Sequence, residues 1–156
     1  MILGGTERCK MDERGRFPIP PRFKDAFDLG AVLSRRPGAP CVIVHTLDSF
    51  ERARQDIELL DEDEIGLEAR RDFWEFAFEQ KKDGQNRITI EQPLRDWASL
   101  GKDLVVLGSG EFLEVWDADE WERRRAARMA ARDETSKELA LRKSAARGQR
   151  GVTWSL

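Results

Sequence analysis

The chain has 156 residues, 40% hydrophobic and 37% charged, with a formal net charge of −3. No run approaches the roughly 20 apolar residues of a membrane span, and Met1-Ile2-Leu3-Gly4 lacks the basic and hydrophobic regions of a signal peptide, so a globular cytoplasmic chain with no membrane partner is expected. One histidine, His45, and two cysteines outside any CxxC spacing, Cys9 and Cys41, rule out a zinc site of the usual kind and read as core residues, the cysteines as buried thiols rather than a disulfide pair.

In chain order, Gly5 to Met11 is a short polar strand entering a turn, Asp12-Glu13-Arg14-Gly15-Arg16. Phe17-Pro18-Ile19-Pro20 is extended but fit only for an edge, because proline donates nothing to a ladder. Pro21 starts a helix carrying Phe23, Ala26 and Phe27 on one face and stopping near Gly30. Ala31 to Ser34 and Cys41 to His45 are strands joined by a Pro- and Gly-containing turn. Asp48 or Ser49 is expected to cap the next helix, whose apolar face is Phe50, Ala53 and Ile57. The acidic run Leu60 to Glu64 reads as a solvated linker or helix start, and Ala69 to Phe78 as an aromatic-rich helix running into a strand.

A second turn, Asp83-Gly84-Gln85-Asn86-Arg87, precedes the strand-like Ile88 to Ile90. Pro93 opens a helix with Leu94, Trp97 and Leu100 on its apolar side, and Gly108-Ser109-Gly110 joins strands at Asp103 to Leu107 and Phe112 to Trp116. Asp117 or Asp119 is expected to cap a final helix through Arg132, with Ser144 to Gly151 frayed or disordered and Trp154 unassigned.

The two turns are copies of one pattern: an acid, three turn-prone residues, an arginine and a strand. They lie 71 residues apart, and the same spacing takes Ile19 to Ile90, Gly30 to Gly101, Leu33 to Leu104, Val44 to Val115 and Phe50 to Trp121. The chain therefore reads as two copies of one unit. Its organisation is a first unit at 1–60, an acidic helical connection at 61–75, a second unit at 76–125, and a basic helical or disordered extension at 126–156. The fold class is mixed α+β. Basic residues collect at the first hairpin, where residues 1–24 hold six Lys or Arg against three Asp or Glu.

An enzyme is not expected. Gly108-Ser109-Gly110 lacks the lysine and hydroxyl of a phosphate-binding loop, the carboxylates sit in an acidic run rather than as an acid and base pair, and no serine has a credible histidine partner. No cofactor or metal is implied. Nucleic acid is the better physical match: Arg8, Lys10, Arg14, Arg16, Arg22 and Lys24 surround one hairpin, a two-stranded ribbon fits the DNA major groove, and Asp12 four residues before Arg16 fixes the guanidinium that faces a guanine edge. A non-enzymatic structural or protein-interaction scaffold is the alternative, suggested by the acidic residues 61–64 and the aromatic run around Trp74.

Gly4-Gly5-Thr6-Glu7 followed by Met11 to Phe23 resembles the start of the MraZ family of bacterial transcriptional regulators, and Asp83 to Arg87 resembles that family's second Asp-x-x-x-Arg motif. The resemblance spans roughly residues 1 to 125. It implies tandem pseudo-symmetric swapped-hairpin, β-barrel-like units related to the AbrB and SpoVT fold, with short flanking helices. It also implies a ring-like homo-oligomer, associated with the nucleoid, that binds short repeated elements in promoter double-stranded DNA of its own gene and the division and cell wall cluster. Under it, Arg14 and Arg16 belong to the DNA-facing loop with Asp12 orienting it, and Asp83 and Arg87 are their counterparts; Arg8 and Lys10 are added from charge alone. Pro18, Asn86 and Glu91 depart from the family pattern, so the second hairpin is expected to contribute less to DNA contact than the first.

Overall fold

The computed structural model describes residues 2–153, with side chains through residue 149, so Trp154 lies outside the described residues. The elements are β1 (Leu3–Lys10), β2 (Arg16–Pro18), a 3-10 helix (Pro21–Phe27), β3 (Ala31–Arg35), β4 (Val42–Thr46), α1 (Leu47–Glu58), α2 (Glu64–Glu75), β5 (Phe78–Gln80), β6 (Arg87–Thr89), α3 (Gln92–Trp97), β7 (Asp103–Gly110), β8 (Phe112–Asp117), α4 (Ala118–Ala130) and α5 (Arg132–Thr153). They form a mixed α+β fold with two antiparallel sheets and flanking helices. Residues Met1–Ala118 make one compact unit and Asp119–Leu156 another.

In the first unit the larger sheet has the order β1-β7-β8-β4-β3-β5 and the smaller pairs β2 with β6. Neither β2 nor β6 pairs within its own repeat. In the small sheet Phe17 faces Ile88, with Arg16 opposite Thr89 and Pro18 opposite Arg87, a register that maps onto itself when the repeats are exchanged. The large sheet reads alike from either end in the same sense, and at its centre Val42 pairs with Val115 and Val44 with Leu113. The spacing slips in one place: Ala31 faces Gln80 while Leu104 faces Cys9, so Leu104, rather than Lys102, stands where Ala31 stands. The β7–β8 connection is shorter than the β3–β4 connection by the same two residues, which restores the register in β8. Gly30 with Gly101 and Leu33 with Leu104 are therefore matches of spacing, not of position.

Period-two alternation decides what each strand buries. Ala31, Leu33, Val42, Val44, Leu104, Val106, Leu113 and Val115 join Phe17, Ile19, Ile88 and Ile90 in a single core closed by Phe23 and Phe27 of the 3-10 helix and Leu94 of α3. The alternate positions, Ser34, Ile43 and His45 among them, face a hollow walled by α1 and α2. Thr46 caps α1 by accepting the Ser49 N–H at 3.1 Å, in place of the expected Asp48 or Ser49, because the strand runs into the helix without a loop. Asp63, from the acidic run, caps α2 at the Gly66 N–H. The aromatic run of α2 packs locally: Phe73 stacks on Phe50 at 5.5 Å, and Trp74 meets both rings edge-on.

His45 is buried, with Nδ1 2.6 Å from Ser49 Oγ. Burial, assisted by the Arg36 guanidinium, pushes its pKa down to about 4. An unfolded histidine takes its proton near pH 6.5 and the folded one resists to about 4, so stability is intact above about 6.5 and falls through that window, by about 3 kcal/mol in all. Urea midpoints at pH 7.5 and 4.5 check this; His45→Gln should flatten the slope, and an unchanged slope refutes the assignment. Cys9 and Cys41 are free thiols, and burial followed by Glu7 pushes Cys9 up to about 11, so it is not an activated nucleophile.

In the second unit, α4 and α5 carry internal pairs, with Glu120 accepting from Arg123 and Arg124, Arg142 bonded to Glu138, and the Arg128 guanidinium over the Trp121 ring. The helix continues through Ser144 to Gly151, the stretch expected to fray, because Ala140, Ala145 and Ala146 supply propensity that Gly148 and Gly151 do not outweigh.

Candidate nucleic-acid interface

Both Asp-x-x-x-Arg loops close in the same way. Asp12 Oδ1 accepts the backbone N–H of Arg14 and of Arg16, each at 2.9 Å, and Oδ2 accepts Arg16 Nε at 2.7 Å. Asp83 accepts from the Gln85 and Arg87 backbones at 2.9 Å and from Arg87 Nε at 2.8 Å. One carboxylate thus satisfies two turn amides and holds the arginine that ends the turn. These hydrogen bonds, those from the backbone first, hold both aspartates below the ordinary carboxylate range.

The turn conformation accounts for the intervening residues. Gly15 has φ +79°, which favours glycine, and a Cβ there would lie 2.8 Å from the guanidinium carbon of Arg95, whose side chain would have to swing aside. Asn86, its counterpart, has φ +59°, within the left-handed region that asparagine enters readily. The departure from glycine therefore leaves the second loop's shape intact.

The loops also join each other. Arg16 Nη1 lies 3.9 Å from Asp83 Oδ2, and Arg87 Nη1 lies 3.7 Å from Asp12 Oδ2. The backbones interlock above the ions, with Ile90 N–H donating to Gly15 O at 2.8 Å and Ile19 N–H to Asn86 O at 2.9 Å. The four side chains make one ring of alternating charge, each about a quarter to a third exposed. Two predicted sites, far apart in the sequence, are one site.

That ring is neutral, so positive charge at the tip comes from its neighbours. Arg14 is exposed, and its side chain makes no hydrogen bond or ion pair among the described residues. Lys10, Arg14 and Lys102 line a hollow beside the first loop with Glu13 as the opposing charge; Lys10 reaches Asp103 only at 3.7 Å across exposed surface, a pair worth little. Arg8 is exposed on β1 and does not line this hollow. The sequence reading missed Arg95, Lys102 and Gln85. Arg95 lies over Gly15 with a buried Nε that has no partner, and the signal was available, since the repeat spacing makes it the counterpart of Lys24. Among the described residues no three His, Cys, Asp or Glu are grouped to hold a metal, and no helix is long and apolar enough to cross a membrane.

A family model described as "MraZ protein, putative antitoxin-like" matches residues 74–143. The transcriptional regulator MraZ of Bifidobacterium longum is 35% identical over 125 residues, covering 78% of this chain and 81% of the relative. The protein of the same name from Leifsonia xyli is 34% identical over 139 residues, covering 86% and 94%, and that from Paenarthrobacter aurescens is 34% identical over 135 residues, covering 84% and 92%. Identity at this level along most of both chains, with paired Asp-x-x-x-Arg loops built alike from the two repeats, places the chain in the MraZ family of transcriptional regulators.

Proposed function

We propose that this chain is a sequence-specific DNA-binding regulator of its own promoter and of the division and cell wall gene cluster, acting at the nucleoid through the paired loops. The observation that carries the reading is the crossed ring of Asp12, Arg16, Asp83 and Arg87, which joins the two turns into one tip. Arg8, Lys10 and Arg14 supply long cationic side chains for phosphates. Arg16 and Arg87 hold the loops through their Nε atoms and keep outer guanidinium hydrogens for the nucleic acid, oriented by Asp12 and Asp83. The interleaved pairing of β2 with β6 supports swapped-hairpin, barrel-like units at 1–60 and 76–125, with 61–75 as the helical connection and 126–156 as an extension.

One tip has little area and few charges. A homo-oligomer, ring-like as the family resemblance implies, presents several tips to short repeated elements and raises affinity through effective concentration. Leu59 and Ile65, over 80% exposed, and Trp74 at the α1–α2 hairpin provide apolar surface for subunit contact.

The test is titration of the purified protein against its own upstream DNA and a scrambled duplex at several salt concentrations. Preference for the upstream DNA should persist as salt rises while affinity falls, with a log–log slope of about −0.9 per phosphate contacted. Equal weak binding to both duplexes would instead favour a scaffold that binds protein.

A further inference from the structure

The ring fixes the two loops in matching shapes, yet they carry unlike residues at the place best suited to reach outward. That place is two residues after each aspartate: Arg14 in one loop, Gln85 in the other. Both backbone N–H groups are tied to a carboxylate at 2.9 Å, so both side chains start from a fixed point. Both are exposed, and neither side chain makes a hydrogen bond or ion pair among the described residues. Of the other tip positions, Glu13 is an anion, Gly84 and Gly15 have no side chain, and Arg16 and Arg87 are engaged in the ring; Asn86 is exposed, but its side chain is one methylene shorter than that of Gln85 and its counterpart in the first loop is only Gly15.

Hydrogen-bonding chemistry separates the pair. A guanidinium has only donors, and two parallel N–H bonds match the O6 and N7 acceptors of guanine. A carboxamide has one donor face and one acceptor face, matching N7 and the N6 amino group of adenine. Neither does the other's work: arginine has no acceptor for the adenine amino group, and a glutamine carbonyl turned toward guanine O6 sets acceptor against acceptor.

We infer that the loop pair discriminates bases unequally, Arg14 reading a guanine and Gln85 an adenine in the major groove, so that two repeats of one unit recognise an element without two-fold symmetry. This rests on the DNA-binding reading above. Arg16 and Arg87 then hold the tip and turn only their outer guanidinium hydrogens to phosphate, and the base specificity lies in the two residues that the ring holds out.

The experiment is selection from a randomised duplex library by the full chain, wild type beside Arg14→Gln and Gln85→Arg, with oligomer size checked for each. The wild type should enrich an element containing a required guanine and a required adenine. Arg14→Gln should move preference at one position from guanine to adenine, and Gln85→Arg should move another from adenine to guanine, each by on the order of tenfold with the remaining positions unchanged. Variants that enrich the wild-type element with the same preferences would overturn the inference while leaving DNA binding intact. Should Arg14→Gln bind no DNA, Gln85→Arg decides alone: guanine replacing adenine supports the assignment and a retained adenine overturns it. A wild type that enriches nothing would remove the DNA-binding reading itself, and the inference with it.

Discussion

Phe17→Ala should lower the free energy of unfolding by about 3–5 kcal/mol, against a total of about 5–15 for a unit of this size. Phe17 is fully buried and faces Ile88, also fully buried, at the middle of the two-stranded sheet. Around them lie Ile19, Ile90, Phe23 and Leu94, drawn from both repeats, so the cavity left by the ring cannot be closed by a shift within one repeat. A single urea transition at lower midpoint with unchanged slope is expected, because both repeats share this core and unfold together. Two separated transitions, or a loss below about 1 kcal/mol, would mean that the repeats are independent bodies and that the β2–β6 pair is peripheral. Ile88→Ala, the same site approached from the other repeat, should cost about 2–5 kcal/mol and give the same single transition.

The repeat that makes this core was legible, but its partnering was not. Alternation in Phe17 to Ile19 and Ile88 to Ile90 shows which side chains turn inward, and that pattern is the same whether a strand pairs with its neighbour in sequence or with its copy. Only the tertiary fold settles that β2 takes β6. The spacing of 71 misplaces β7 against β3 by two residues for a similar reason: an even slip keeps every side chain on its face, so the hydrophobic pattern carries no trace of it. Local chemistry was read more successfully. Asp12 and Asp83 were expected to hold Arg16 and Arg87, and they do, because both partners lie within one turn. The crossed contacts between loops depend on long-range pairing and could not be seen from either loop alone.

Arg16→Ala should reduce binding to the specific DNA by on the order of a hundredfold while leaving the oligomer and the core intact, and Arg87→Ala should cost nearly as much. The sequence of the turn alone ranks Arg87 lower, since it lacks the adjacent arginine of the first loop. The crossed ring changes that ranking: each arginine touches both aspartates, so removing either guanidinium leaves two carboxylates sharing one cation and disturbs the side chains of both loops while their backbone bonds hold. If the ring presents two base contacts, each worth about 1–3 kcal/mol, misplacing both loses their sum, which is a factor of about thirty at the lower bound and passes a hundred once each contact is worth about 1.4 kcal/mol. The ring is partly exposed, so little of this appears as a stability change. Asp12 and Asp83 are held ionised below their ordinary range, so the ring is present above about pH 4 and should come apart as pH falls through the depressed values, taking DNA preference with it. The decisive measurement is a double-mutant cycle: because either single change already disturbs the charge ring on both loops, the Arg16→Ala, Arg87→Ala double variant should bind little worse than either alone. Full additivity of the two losses would show that each arginine contacts DNA separately and that the ring does not act as a unit.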